Sequence, residues 1–279
     1  MRRLGVSAWI YGDAPLEETL ARIAAAGYDA VELPGQPDAW RPGEVRRLLA
    51  RHGLTPVGLT ASCAFPATRR DLAHPDPAVR ADAVTYLVGC LRWAAEAGVP
   101  LVQMLPSGET RLAPVATEAE EWRWSVQGMQ VAAREAERAG VRIAVEPLNR
   151  YEAYLVTTVA QALRYLDEVA SRWVGLTLDL FHANIEEPDL PGAIAAAGAR
   201  LWHVQLADTN RQGLGRGHLD LPACLAALDR IGYAGALVLE VMAPGPDPFR
   251  AVKDEGSSAL VDAFLRESLA RLRRLGAAR

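Results

Sequence analysis

Cysteine is scarce. Cys63, Cys90 and Cys224 lie far apart among 279 residues, with no Cys-x-x-Cys pair. That spacing excludes a disulfide framework and a cysteine zinc site, and it reads as a reduced, cytoplasmic protein. Long apolar runs are also missing. None reaches the roughly 18 residues of a bilayer span, so no membrane partner is expected. The opening MRRLGVSAWIYGD turns polar too soon for a signal peptide and reads as a first strand. There is no basic excess: the formal net charge is -4 and the pI about 5.8, with Arg and Glu interspersed. No basic stripe can neutralise a phosphate backbone, and nucleic acid is not an expected partner. Finally, no glycine-rich phosphate loop follows the first apolar run, where WIYGDAPLEE stands. This argues against a doubly wound dinucleotide-binding sheet.

What the chain does have is rhythm. With 50% hydrophobic residues it can bury one large core or two modest ones. Eight β-rich runs recur: 4–10, 28–33, 54–60, 99–105, 141–146, 173–179, 200–206 and 235–241. Amphipathic helical patterns such as PLEETLARIAAAG, PGEVRRLLARHG and PAVRADAVTYLVGCLRWAAEAG separate them, several closing on a glycine suited to the left-handed position after a helix. Strand plus helix, repeated eight times, predicts an α/β fold, a single (β/α)8 TIM barrel. No linker, low-complexity tract or charge block divides it, so residues 1–279 are expected to form one domain with its active site at the C-terminal ends of the strands.

Three of the last four runs end in an acid: RIAVE on Glu146, GLTLD on Asp179 and ALVLE on Glu240. The fourth, LWHVQ, ends on Gln205. Barrel topology puts these four on adjacent strands around half of one mouth. Taken singly, each acid reads equally well as a solvated strand end. Taken together, three carboxylates would repel one another, and a divalent cation is the simplest way to hold them. An oxygen-rich set suits Mg2+ or Mn2+ better than Zn2+. Glu32, near the end of YDAVEL, fits the same rule across the mouth, but its plainer reading is a polar residue capping the barrel wall. His203 shares the face of Gln205 by strand alternation and sits about 6.6 Å deeper. It reads as a hydrogen-bonding group below the ligands, with the fourth-ligand role as its alternative.

Polar groups follow these ends at short spacing: Glu152 in EPLNRYE, His182 in DLFHAN and Arg211 in QLADTNR. Each lies in the loop above a proposed ligand, where the hydroxyls of a bound polyol could be read, although a loop His or Arg alone is by default solvated. Trp9 and Tyr11 read either as an apolar wall beside a substrate or as rim packing. Cys63 reads as a small buried thiol, with pocket lining as its alternative. GLGRGH, residues 213–218, reads as a tight loop before the last helix, with a phosphate nest as its alternative.

EPLNRYE, LDLFHAN, HVQLADTNRQGLGRGHLD and LVLE together resemble the xylose-isomerase-like sugar isomerases and epimerases, particularly the D-tagatose 3-epimerase and D-psicose 3-epimerase group. The resemblance covers nearly the whole chain. It implies one divalent metal ion, Mn2+ or Mg2+ with Co2+ admitted, bound by Glu146, Asp179, Gln205 and Glu240. It further implies that Glu146 and Glu240 are the acid/base pair and that Glu152, His182 and Arg211 contact substrate. Gln205 is the departure, because these epimerases usually present a histidine there, whereas hydroxypyruvate isomerase in the same superfamily places a glutamine.

The expected activity is C3 epimerisation of a ketose through a metal-stabilised cis-enediolate. A free sugar, a phosphorylated sugar and a three-carbon acid all remain open as substrates. An aldose-ketose isomerase like hydroxypyruvate isomerase and a dehydratase of the inosose or dehydroshikimate type compete for the same barrel. A non-catalytic sugar binder is the reading if Gln205 abolishes metal binding. A nuclease like endonuclease IV shares the fold, but its several zinc ions need many more histidines than the five here. Beyond a small sugar or sugar-derived substrate, the one partner expected is a second copy of the chain, in a dimer or tetramer.

Overall fold

The computed structural model describes residues 2–61, 70–244 and 254–277. Cys63 lies outside them. Eight parallel strands close into a barrel in sequence order, β1 Leu4–Ser7, β2 Ala30–Pro34, β3 Thr55–Ala61, β4 Leu101–Met104, β5 Arg142–Val145, β6 Val174–Asp179, β7 Leu201–Leu206 and β8 Leu237–Leu239, with β8 pairing back to β1. Each falls within or overlaps one of the eight expected runs. Both faces of the strands are covered, which is why they read as near-continuous apolar runs rather than alternating ones.

The surrounding helices begin and end where local chemistry dictates. The helix α1 (Leu16–Ala25) follows β1, and α2 (Pro42–His52) opens on a proline whose missing N–H costs nothing there. Gly53, at φ +66°, closes α2, and Gly98, at φ +77°, closes α3 (Pro77–Ala97). Threonine capping boxes start α4 (Glu118–Ala139) and α5 (Val159–Val169), each satisfying two otherwise orphaned backbone donors.

Two departures bear on the site. The first run does not stay extended: Ala8–Tyr11 is a 3-10 turn, because pairing with β2 stops at Ser7 and with β8 at Val6. Tyr11 is thereby buried under the last helix, α9 (Glu255–Arg274), where its hydroxyl donates to Asp262 at 2.6 Å. It is rim packing, whereas Trp9 turns toward the mouth. Second, the β6–β7 connection holds two helices, α6 (Leu180–Glu186) and α7 (Leu190–Ala197), so the unit is not strictly one helix per strand. The helix α8 (Leu221–Arg230) follows β7. Among the described residues, no helix is long and apolar enough to cross a membrane.

Candidate metal centre and active site

The backbone fixes the four strand-end residues. Glu146 and Glu240 continue the parallel ladder one step past β5 and β8, donating to Met104 O at 3.1 Å and Leu206 O at 2.9 Å. Asp179 ends β6 in register with Gln205 on β7. All four side chains are buried at the C-terminal end of the barrel.

Two of them present one committed atom and one spare among the described residues. Asp179 Oδ1 caps α6 by accepting from Phe181 N–H at 2.9 Å, while Oδ2 has no hydrogen-bond partner there. Gln205 Nε2 donates to Glu240 Oε1 at 2.9 Å and to Glu32 Oε1 at 3.1 Å, while Gln205 Oε1 likewise has none. Gln103 Nε2, from β4, donates to Glu146 Oε2. Glu240 also accepts from Trp9 Nε1 at 2.6 Å and Arg211 Nη2 at 2.8 Å. Burial, together with the carboxylates of Glu240 and Asp179, pushes the Glu146 carboxyl well above its ordinary value. Burial does the same to Glu240 against the pull of Arg211, with Asp179 and Glu32 adding to the rise. Asp179 is likewise raised by burial, against Arg211.

Three buried carboxylates beside one guanidinium are short of positive charge, and leaving a buried charge uncompensated costs several kcal/mol. The spare oxygens of Asp179 and Gln205 add two acceptors that nothing among the described residues satisfies. This donor set fits a hard divalent cation of the Mg2+ or Mn2+ class.

His182 belongs to the same cluster. Its ring and the carboxylates of Glu146 and Asp179 offer ligand atoms that all lie within 4.8 Å of one another. Asn149 Oδ1 accepts from Tyr151 N–H at 2.9 Å, so its amide Nδ2 faces Glu152 Oε1 at 2.9 Å and His182 Nδ1 at 2.7 Å. An amide nitrogen only donates, so Nδ1 accepts from Asn149, while Nε2 faces Arg211 Nη1 at 3.3 Å, likewise a donor. Burial and the Arg211 charge hold the ring neutral by depressing its pKa well below the usual value. Nε2 also lies 3.5 Å from Asp179 Oδ2.

Arg211 adopts φ +59°, a left-handed conformation unusual for a residue with a side chain. Its guanidinium lies 3.6 Å from Glu152 and 3.8 Å from Asp179 in addition to its bond with Glu240. The loop that imposes this turn is organised by Asp208, whose buried carboxylate accepts from Thr209, Gly215 and Leu219 N–H at 2.8, 2.6 and 3.1 Å. A Cβ on Gly217 would lie 2.2 Å from Asp208 Oδ1, so only glycine fits there. The GLGRGH amides therefore serve an internal carboxylate and do not form a phosphate nest, and the loop precedes α8 rather than the last helix.

Burial alone would raise the Asp208 carboxyl, but these backbone donors hold it below its ordinary value. A depressed carboxyl stabilises the fold above its unfolded value of about 3.9 and loses that contribution as pH falls through the folded value. Asp208→Asn, which turns an amide N–H2 toward N–H donors, is expected to cost about 1–3 kcal/mol at pH 7. In chemical denaturation its deficit against the wild type should shrink below about pH 4.

Glu32 does not cap the barrel wall. It is fully buried inside the barrel, accepting from Ser7 Oγ at 2.7 Å and bonding His203 Nε2 at 2.5 Å. Burial would raise its carboxyl, but His203, with Ser7 and Thr60 adding to it, holds it low.

A family profile described as xylose isomerase-like TIM barrel matches residues 20–263. The chain belongs to that family. Within the xylose isomerase-like barrels, it is 31% identical to an L-ribulose 3-epimerase of Mesorhizobium japonicum over 86% of this chain and 81% of that protein. It is 30% identical to a ketose 3-epimerase of Arthrobacter globiformis, covering 90% of each. The crystal structure of D-psicose 3-epimerase with D-tagatose from Clostridium cellulolyticum superposes with a TM-score of 0.86 at 25% identity, covering 98% of this chain and 99% of that one.

Three site residues escaped sequence reasoning. Gln103 was hidden in VPLVQML, although a lone amide inside an apolar barrel strand is a usable signal. Asn149 stood in EPLNRYE, three residues before Glu152, with nothing in its spacing to single it out. Glu109 comes from the β4–α4 loop, placed near Glu152 by the bond from Thr110 N–H to Glu152 O at 2.7 Å. Burial, with Glu152 adding to it, raises the Glu109 carboxyl.

Proposed function

We propose that this one-domain barrel is a ketose 3-epimerase working with one divalent cation, Mn2+ or Mg2+, held by Glu146, Asp179, Gln205 and Glu240. The supporting observation is the pair of buried carboxylates, Glu146 and Glu240, standing at the two ends of the row β5–β8 in a chain similar over most of its length to proteins named L-ribulose 3-epimerase and ketose 3-epimerase. Bound there, the cation would polarise the ketose carbonyl and acidify the neighbouring C–H.

The chain's own residues supply the proton transfers. One glutamate removes the C3 proton, and the electron pair left behind delocalises into the C2 carbonyl. The other glutamate delivers a proton to the opposite face of C3, so the C–H bond re-forms with inverted configuration. Burial and neighbouring carboxylates raise both carboxyls, and a bound cation would pull them back down. His182, Arg211 and Glu152 orient the hydroxyls, and Trp9 covers the Glu240 side.

Incubation with Mn2+ and a panel of ketoses in deuterated water tests this. The expected result is deuterium at C3 with an inverted product. Deuterium at C1 or C2 with an aldose product would replace the reading with an isomerase, and an ultraviolet-absorbing enone with a dehydratase. No exchange in any ketose, with metal bound, would leave a sugar-binding protein.

A further inference from the structure

A glutamine can present either an oxygen or an amide nitrogen, and only the oxygen can ligate a cation. Gln205 is fully buried, so its orientation is set by its neighbours. On one side of its amide stand two carboxylate oxygens, Glu240 Oε1 at 2.9 Å and Glu32 Oε1 at 3.1 Å. An amide turned the other way would put its own oxygen against both. Nε2 must therefore face the glutamates, and Oε1 is left without a partner among the described residues.

Glu32 is itself immobilised. Its Oε1 also accepts from Ser7 Oγ at 2.7 Å, and its Oε2 is held by His203 Nε2 at 2.5 Å. Gly58 leaves the space this requires: a Cβ there would lie 3.3 Å from the His203 ring and 3.4 Å from Glu32 Oε2. With both oxygens engaged, Glu32 is a fixed acceptor beneath the site.

We propose that Glu32, braced by Ser7 and His203, is a positioning residue that locks the Gln205 amide with its oxygen toward the cation. The proposal rests on the reading of Gln205 as a metal ligand. A neutral amide there then behaves as a dedicated oxygen donor, although its side chain has no such preference of its own.

Mn2+ dissociation constants, read from the electron paramagnetic resonance signal of free Mn2+, test it without any substrate. In Glu32→Gln the acceptor becomes an amide that also donates, the lock is lost, and affinity should fall about tenfold, or 1.4 kcal/mol. Gln205→Glu alone should also bind poorly or fold poorly, because it sets three carboxylates against one another. The double variant Glu32→Gln with Gln205→Glu restores a donor below an acceptor and gives oxygen at both terminal atoms, although the new carboxylate still faces Glu240. It should bind Mn2+ at least about threefold, or about 0.7 kcal/mol, more tightly than either single variant. A role in packing alone predicts no such rescue.

If Glu32→Gln does not fold, Glu32→Asp, which keeps the charge for His203 but retracts the acceptor, should show the same weakening. Wild-type affinity in Glu32→Gln or Glu32→Asp, or a double variant no better than the single variants, would overturn the proposal while leaving the metal site standing. A wild-type protein that binds no Mn2+ would overturn the metal reading, and the proposal with it.

Discussion

Glu240→Gln is expected to keep its fold and its bound cation while turnover falls by about 10²–10⁴-fold, the contribution of one positioned acid/base group. The substitution preserves size and one oxygen, and an amide cannot accept a proton at neutral pH. Its environment makes the outcome readable. Three donors surround the native carboxylate: Trp9 Nε1 and Gln205 Nε2 at Oε1, and Arg211 Nη2 at Oε2. The new amide should keep its oxygen on the two-donor side and turn Nε2 toward Arg211. That guanidinium loses one acceptor but retains Glu152 and Asp179 nearby. KM should therefore move only a few-fold while kcat collapses, and C3 deuterium exchange should fail for at least one epimer. Normal turnover with normal metal content would shift the acid/base role, with Glu152 the next candidate.

How far the sequence could be read follows from the range of the forces involved. All eight strands were visible, because strands buried on both faces need continuous apolar runs and the glycines after the helices punctuate them. The four strand-end residues were visible for the opposite reason: a charge or amide closing such a run has no packing use. Depth was harder. Alternation puts His203 and Gln205 on one face, and both do reach Glu32. Yet the same rule left Glu32 on the rim, since alternation specifies a face and not a partner 171 residues away. The contacts of the His182 ring are made by Arg211, 29 residues distant, and by Asn149, 33 residues distant, whose own amide is oriented by a backbone N–H two residues on. Such relationships arise only when the barrel closes, and no local spacing encodes them. The 3-10 turn at Ala8–Tyr11 is the same lesson at short range: the residues favour a strand, but the ladder has run out of partners.

Arg111→Ala should be the most destabilising single change near the mouth, at about 3–5 kcal/mol, because it leaves buried carboxylates without their cation. Arg111 is nearly fully buried on the β4–α4 loop. Its Nε donates to Asp71 at 2.8 Å, its Nη1 donates to Glu121 of α4, and its guanidinium lies 4.7 Å from the centre of the Tyr154 ring. Asp71 precedes α3 and Tyr154 lies between β5 and α5, so one side chain ties three loops above the strand ends. Glu121 cannot relax away, since its other oxygen accepts from Val115 and Ala116 N–H at 2.6 and 2.7 Å. Lysine is a poor substitute, because a single ammonium cannot reproduce the guanidinium fork. The pH dependence separates charge from packing. Burial would raise the Glu121 carboxyl, but Tyr154, Ala116 N–H and Arg111 together hold it below the ordinary value. Its contribution is therefore present above the unfolded value of about 4.3 and lost as pH falls through the folded one. Arg111→Ala removes part of that depression, so the stability gap measured by denaturant titration should be largest at pH 7 and narrow steadily toward pH 3. A gap that does not change with pH would mean that Arg111 acts through its packing on Tyr154 and not as the counter-charge of Asp71 and Glu121.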